Sequence, residues 1–414
     1  MKKRYQVLLV LSILSTVTFL DRIAISTAGE RISKDLGLST VQWGWVLGMF
    51  TLAYGLFEIP TGLLGDRLGA KRLLIRVVLW WSFFTVLTGF STGFVMLLAV
   101  RFLFGIGEAG AYPNISIALS KWLPAFERGK GQALIWAASR IGAGLTPILV
   151  IPIQQKYGWQ MSFYILGGVG LLWVIFWIFW YKEEPSEAQD ISKEELNFIL
   201  ENRQLSDHSP KQSVWKILNH PNLWILFLMY YCYAAGAYFF QSWMPKYLQH
   251  GRGISEENMK FMASAPFILG AVGCFLGGIL SDYTVKKYGK KWGRRIVPMI
   301  GLGLSGICLI TAALSQNDTL AVVLLSLGLA TMDVTAPVAW AVAMDIGGKQ
   351  SGTVSGAMNS AGLIGAYINT VSFGYLATTF GYYFPVLMIG GLLILGSILW
   401  LKIDATHQVS VQSE

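Results

Sequence analysis

The stretch Gly62-Leu63-Leu64-Gly65-Asp66-Arg67-Leu68-Gly69-Ala70-Lys71-Arg72 joins two apolar runs and places an aspartate among three cations in one tight turn. A second turn, Gly278-Ile279-Leu280-Ser281-Asp282, is followed by Lys286, Lys287, Gly289, Lys290, Lys291, Arg294 and Arg295, and its aspartate lies 216 residues after the first. Working outward from these turns, every flanking apolar stretch approaches the ~20 residues that cross a hydrocarbon core of ~30 Å. Twelve such stretches are found, at 7–29, 44–65, 73–93, 94–119, 131–156, 160–181, 220–250, 259–281, 296–315, 318–345, 351–378 and 382–402. A polar segment, 182–219, separates six from six. The duplication predicts an all-α membrane protein with twelve transmembrane helices in two pseudo-symmetric six-helix bundles. The expected divisions are an N-terminal bundle 1–181, a cytoplasmic linker 182–219, a C-terminal bundle 220–402 and a cytoplasmic tail 403–414.

Composition agrees. Of 414 residues, 54% are hydrophobic and 13% charged, and the mean hydropathy is +0.52, whereas a soluble chain carries about 25% charged residues. That argues against a cytosolic enzyme, a DNA-binding protein or a secreted scaffold. The net charge of +9 is a matter of sidedness: with the N-terminus inside, 23 Lys and Arg fall in cytoplasmic segments, 6 in external loops and 3 within spans, as the positive-inside rule requires. No nucleic-acid partner is needed to explain it. Both termini are then cytoplasmic, and short loops point to a multi-pass protein of a bacterial cell inner membrane. Met1-Lys2-Lys3-Arg4 could open a secretory signal peptide, but Asp21-Arg22 interrupts the apolar run and eleven more spans follow. Cys232, Cys274 and Cys308 lie in apolar stretches, offering neither a disulfide framework nor a zinc site.

Within the linker, Ser192-Lys193-Glu194-Glu195 has the form of a capping box. It predicts a short amphipathic helix with Leu196, Ile199 and Leu200 on one side, lying on the inner membrane surface. The tail from Ile403 to Glu414 is polar and reads as disordered. Trp43, Trp122, Trp159, Trp180 and Trp292 stand near span ends, where indoles anchor a bilayer interface, while Trp136 and Trp340 lie deeper.

Asp66, Arg67, Lys71 and Arg72 in one turn, and Asp282 with its basic followers in the other, form a charge lock that is made in one conformation and broken in another. With that repeat in place the chain resembles the major facilitator superfamily over essentially its whole length, and more narrowly the anion:cation symporters. The narrower resemblance rests on Asp21-Arg22, Tyr54 to Pro60, Arg101 through Ala109, Lys121-Trp122-Leu123-Pro124 with Glu127-Arg128, Trp243 through Leu248, Gly352 through Gly356 and Asn359 to Gly365. It implies the major facilitator fold and proton-coupled transport of sugar acids or other organic anions. By the same resemblance, the acids at Asp21 and Glu108 serve proton coupling and the arginines at Arg22 and Arg101 recognise the anion.

The residues themselves support that expectation. An ionisable group at mid-membrane costs at least ~2.5 kcal/mol, so each that remains is a candidate functional group. The spans hold Asp21, Glu58, Glu108 and Asp333 against Arg22, Arg101 and Arg140. Asp21 and Arg101 fall in the outer third of their spans, Arg140 near the midplane, and Glu108 two turns below Arg101 on the same face, about 10 Å along the axis. Guanidiniums stay charged and offer a fork that matches a carboxylate. While ionised, Asp21 and Glu108 pair with arginines such as Arg22 and Arg101; an incoming anion displaces them and favours their protonation, which is reciprocal linkage. Glu58 stands where the resembling family usually has an amide, so it is either an extra proton site, a hydroxyl acceptor or a partner for a nearby arginine. Tyr54, one helical turn before Glu58, together with Asn359 and Trp340, suits a hydroxylated substrate.

The reading is therefore a transporter and not an enzyme, working by alternating access as a monomer in the lipid bilayer, with no cofactor and no metal. Its expected cargo is a small-molecule organic anion, a hexuronate, aldonate or aldarate, moved in symport with protons. The alternative is a proton-coupled drug or other solute antiporter of the same superfamily, whose cavity would favour acids without surplus arginines.

Overall fold

The computed structural model describes residues 1–203, 220–348 and 351–407, and Asp66 there without its side chain. The rest of the linker, the last seven residues and the carboxylate of the first charge lock lie outside the described residues. Among those described, helix is the only regular structure. Contacts group the chain into two units, 1–38 with 49–208, and 39–48 with 209–414.

The amino-terminal unit draws on α1 (Lys3–Thr27), α2 (Thr40–Leu68), α3 (Ala70–Gly89), α4 (Phe94–Glu108), α5 (Ala111–Trp122), α6 (Arg128–Tyr157) and α7 (Trp159–Trp180). The fourth predicted span is thus interrupted at 109–110, just after Glu108. Pro113 gives the reason: it has no N–H for the carbonyl four residues back and its ring crowds that carbonyl. Helices approach closely where glycine replaces a side chain, as small residues allow within a bilayer. A Cβ on Gly105 of α4 would sit 2.6 Å from the Phe50 carbonyl of α2, and one on Gly142 of α6 would sit 2.4 Å from the Thr16 carbonyl of α1.

A short helix, α8 (Lys193–Asn202), follows in the linker, and Ser192 caps it by accepting from the Glu195 N–H. Glu195 does not close the reciprocal half of a capping box. Its carboxylate accepts instead from the backbone N–H groups of Lys3 (3.0 Å) and Arg4 (3.2 Å), the first residues of α1. Glu183 does the same for α3, accepting from the N–H of Ala70 (3.0 Å) and Lys71 (2.8 Å) and binding Lys121 at 2.8 Å. Two linker carboxylates therefore satisfy orphan amides at the positive ends of two spans. The helix expected to lie on the membrane surface is fastened to the protein, with Ile199 and Glu195 buried and Phe198 packed edge-on to Phe126. Gly69 stands at φ +82° with the Glu183 carboxylate 2.9 Å from where its Cβ would be, so only glycine suits both the backbone and the cap. Replacing Glu183 by Gln is expected to lower thermal stability by about 1–3 kcal/mol, the worth of hydrogen bonds to a charged group, and a melt of the detergent-solubilised protein checks it.

In the second unit, α9 (Pro221–Tyr238) continues through π-helical turns at Phe239–Trp243 and Tyr247–Gly251, between which Pro245 withholds an N–H. Then come α10 (Ala265–Leu314), α11 (Asp318–Asp333), α12 (Thr335–Gly347), α13 (Ser351–Phe380) and α14 (Tyr383–Leu399). The eighth and ninth spans form α10, broken at Gly289, where φ is 75°. Among the described residues these helices account for the twelve expected spans, and their bounds fall within a few residues of the expected ones in most cases. Asp333 ends α11 four residues before Pro337, so the tenth span breaks after a buried acid as the fourth does. Of the small residues in α13, Gly362 and Gly365 meet the rings of Tyr230 and Tyr231 on α9, whereas Gly352 and Gly356 face open space.

The tail departs from its expected disorder at its start. Ile403, Asp404 and Ala405 are buried; Asp404 exchanges hydrogen bonds with Asn222 and pairs with Lys291 at 2.7 Å, and the Ile403 carbonyl accepts from Arg295. The hydrophilic composition concealed a docked segment because its partners lie on distant helices. Burial alone would raise the Asp404 pKa, but hydrogen bonds from Lys291 and Thr406 outweigh it and hold the carboxyl below the usual range. This contribution is present above the ordinary aspartate value and is lost as pH falls through the depressed one. Hydrogen exchange at the Asp404 amide is therefore expected to quicken in Asp404→Asn at neutral pH, and the difference from the parent to vanish at strongly acid pH.

Three of the five span-end tryptophans also depart from expectation: Trp43, Trp122 and Trp159 are buried. Trp122 donates to the Lys182 carbonyl and Trp159 to Asp35, so these indoles find protein acceptors instead of an interface. Trp292 is half exposed.

Candidate functional site

Inside the amino-terminal unit, α1, α2 and α4 bring five of the expected residues together. Asp21 (2% exposed) and Arg22 sit side by side on α1, Tyr54 on α2, and Arg101 and Glu108 (0% exposed) on α4. Arg22 donates to the Glu108 Oε1 through both Nε, at 2.8 Å, and Nη2. Both donors converge on one carboxylate oxygen, and the other, Oε2, is buried without a hydrogen-bond partner among the described residues.

Arg101 is placed differently. Its charge interacts with Glu108, Arg22 and Asp21, yet its Nε is buried without a hydrogen-bond partner among the described residues. Both carboxylate oxygens of Asp21 are likewise buried without one, and the Trp81 indole of α3 is its neutral neighbour. A buried donor left unmade costs about 1–3 kcal/mol, more when charged. The cluster therefore holds one closed ion pair and one open one.

Aromatic rings complete the setting. The Arg22 guanidinium lies 4.7 Å from the Phe19 ring centroid, 5.2 Å from that of Phe50 and 5.0 Å from that of Tyr54. Arg101 lies 5.0 Å from Phe50 and 4.5 Å from Phe104. Tyr112 meets Phe19 edge-on, stacks on Trp136 at 4.7 Å and donates to Ser15, which in turn donates to the Ile135 carbonyl. Phe19, Phe50 and Tyr54 thus face the Arg22 guanidinium, and Phe50 and Phe104 that of Arg101, as cation–π partners.

Of the remaining expected residues, Arg140 is buried on α6 after Ser139, whose hydroxyl interacts with Tyr112. Glu58 is half-buried on α2. Trp340 and Asn359 belong to the second unit and are half-buried there; the Trp340 indole donates to the Tyr230 hydroxyl at 3.2 Å. Tyr230 stacks on Tyr233, whose hydroxyl donates to Asp333 at 3.2 Å. Both units thus join a group on their first span to the acid at the break in their fourth: Arg22 to Glu108, Tyr233 to Asp333. In the charge turns, Arg67 and Arg72 are exposed and Lys71 half-buried. Asp282 is 72% exposed and pairs with Arg294 at 3.4 Å, but Arg294 also reaches Asp345 at 3.3 Å, and Lys290 binds Asp345 at 3.0 Å. Asp345, at the end of the tenth span, is the more enclosed acid of that turn, and the sequence reading passed over it.

Phe19 and Phe104 stand three residues from Arg22 and Arg101 along their own helices, and Phe50 four from Tyr54, so helical spacing would have found them. Nothing in the linear order ties Phe50 to Arg101 or Trp81 to Asp21.

A helical membrane protein with a buried ionic cluster in one of two six-span units has the build of transporters made from repeated sets of spans. The family model described as Major Facilitator Superfamily matches residues 11–368. The chain belongs to the Major Facilitator Superfamily and is a transporter, not an enzyme. Among its relatives is the "Probable sulfoacetate transporter SauU" of Cupriavidus necator, 32% identical over 100% of this chain and 96% of that protein. The "Hexuronate transporter" of Bacillus subtilis is 30% identical over 96% of this chain and 94% of that one. The "D-galactonate transporter" of Escherichia coli is 28% identical over 96% and 94%. A solved structure of a bacterial homolog of the human lysosomal transporter Spinster superposes with a TM-score of 0.80 at 20% identity, covering 97% of this chain and 96% of that one; it shows the fold.

Proposed function

We propose that this protein carries a small organic anion, a sugar acid or a short sulfonate, across the bacterial inner membrane together with protons, its termini and linker on the cytoplasmic side. The observation that carries this reading is the pair of buried guanidiniums in the amino-terminal unit, one closed on Glu108 and one with an unmade N–H donor beside Asp21. An anion arriving at Arg101 satisfies that donor. It also competes with Glu108 for Arg22, and a carboxylate that loses its cation in a low-dielectric site takes up a proton. Cargo and proton thereby favour each other. The relatives named for sulfoacetate, hexuronate and D-galactonate support the anionic character of the cargo, and the positive-inside distribution supports the orientation. In the amino-terminal unit Arg140 and Tyr54 are further candidates for holding the anion and Glu58 for an extra proton; in the second unit Asn359 and Trp340 are candidates for contacting a hydroxylated substrate.

The test is thermal stabilisation of the purified protein by sulfoacetate, D-glucarate, D-galactonate and D-galacturonate at acid and neutral pH. A stabilising anion whose half-saturating concentration falls at least several-fold on acidification is the expected outcome. Stabilisation by none of them, with stabilisation by lipophilic cations instead, would refute the reading in favour of a drug antiporter. Arg101→Ala is expected to weaken binding of the active anion by 100-fold or more, on the order of the ~2–5 kcal/mol that follows truncation of one partner in a buried charged contact, with the protein still folded by size-exclusion chromatography.

A further inference from the structure

The inference here rests on the proposed anion site and concerns a residue that carries no polar group. Phe50, buried on α2, presents its ring to both guanidiniums, 5.2 Å from Arg22 and 5.0 Å from Arg101. Two like charges sharing a water-poor site repel one another, and each long side chain has several rotamers through which to escape. The electron-rich face of an aromatic ring attracts both cations and occupies the volume into which they would swing. Phe50 is itself held: its ring meets Tyr54 at 5.8 Å and Phe104 at 5.7 Å, and its carbonyl lies against Gly105, the residue after Phe104. The ring's place is therefore set by the close crossing of α2 and α4, and through it the two arginines are referred to one support.

We infer that Phe50 is a positioning residue of the anion site: its ring holds Arg22 and Arg101 side by side with their N–H edges presented together, so that one anion engages both. Phe19 and Tyr54 lie over Arg22 in this way, and Phe104 over Arg101. Phe50 alone among the described residues is recorded against both. Its contribution is to arrangement, and it falls on affinity for the anion before it falls on the rate of conformational exchange.

The experiment compares Phe50→Leu, Phe50→Met and Phe50→Tyr with the parent protein in proteoliposomes, using whichever of sulfoacetate, D-glucarate, D-galactonate and D-galacturonate stabilises the parent. The aliphatic variants keep bulk and lose the aromatic face; tyrosine keeps the face. The expected result is a rise of about tenfold in the half-saturating concentration for uptake in Phe50→Leu and Phe50→Met, with maximal rate within twofold of the parent, and recovery to within threefold in Phe50→Tyr. If Phe50→Leu does not fold, Phe50→Met carries the aliphatic arm. Aliphatic variants with parental half-saturation, or a loss confined to maximal rate, or a tyrosine variant as impaired as the leucine one, would overturn the inference while leaving the proposed function standing. A parent protein that none of the four anions stabilises removes the proposed function and this inference with it.

Discussion

Uptake of the anion driven by a pH gradient is expected to disappear in Glu108→Gln and in Asp21→Asn, while exchange of labelled for unlabelled anion across proteoliposomes persists. One coupled proton allows about tenfold accumulation per unit of pH gradient, since each ~1.4 kcal/mol is a factor of ten. In either variant that accumulation should fall to the level seen without a gradient. The amide keeps the shape of the protonated acid but does not gain or lose a proton over this pH range. In Glu108→Gln the loss of charge also releases Arg22 from the partner it holds through two donors, so anion binding at neutral pH should tighten relative to the parent. In Asp21→Asn the charge is lost beside Glu108 and Arg101, and the effect falls on the field that both of them feel. Accumulation at the parental level in both variants would remove these acids from coupling.

The second large effect is on stability. Arg22→Ala leaves the Glu108 carboxylate buried opposite an empty place, a change that costs about 3–5 kcal/mol when one partner of a buried pair is removed. The paired variant Arg22→Met with Glu108→Gln removes both charges and keeps the volume, and most of that loss should be recovered. Thermal melts of the four proteins in detergent close the cycle. A single variant as stable as the parent would mean that the pair contributes to neither folding nor restraint. The double variant, folded but without its coupling acid, is expected to bind anion with no dependence on pH attributable to Glu108.

The proposed site was partly legible in the linear order for a definite reason. Buried charge is so costly in a bilayer that Asp21, Arg22, Arg101 and Glu108 stand out against their apolar neighbours, and the i to i+7 spacing of Arg101 and Glu108 placed them on one helix face. The partner choice was not legible. Pairing of the acids with arginines was expected in general, but that Arg22 closes on Glu108, while Arg101 and Asp21 make no hydrogen bond to each other, depends on where α1 crosses α4. The same holds for Asp345, which outbids Asp282 for Lys290 because a tenth-span helix end comes within reach. The tail misled for a related cause: Asp404 and Thr406 look hydrophilic, and only Asn222 and Lys291, far away in the chain, turn that stretch into a docked one.

What the amino-acid order determined by itself was what depends on local transfer free energy: the number of spans, their approximate bounds and the internal repeat of the charged turns, since each follows from the cost of moving a given residue into hydrocarbon. Tertiary structure alone decided which ionic groups are spent on one another and which are kept open, which aromatic rings support a guanidinium, and which linker acids cap a helix. Those choices rest on distances of about 3 Å between residues as far apart as Lys3 and Glu195, and hydrogen bonds fall away too steeply with distance and angle for any pattern of hydropathy to encode them.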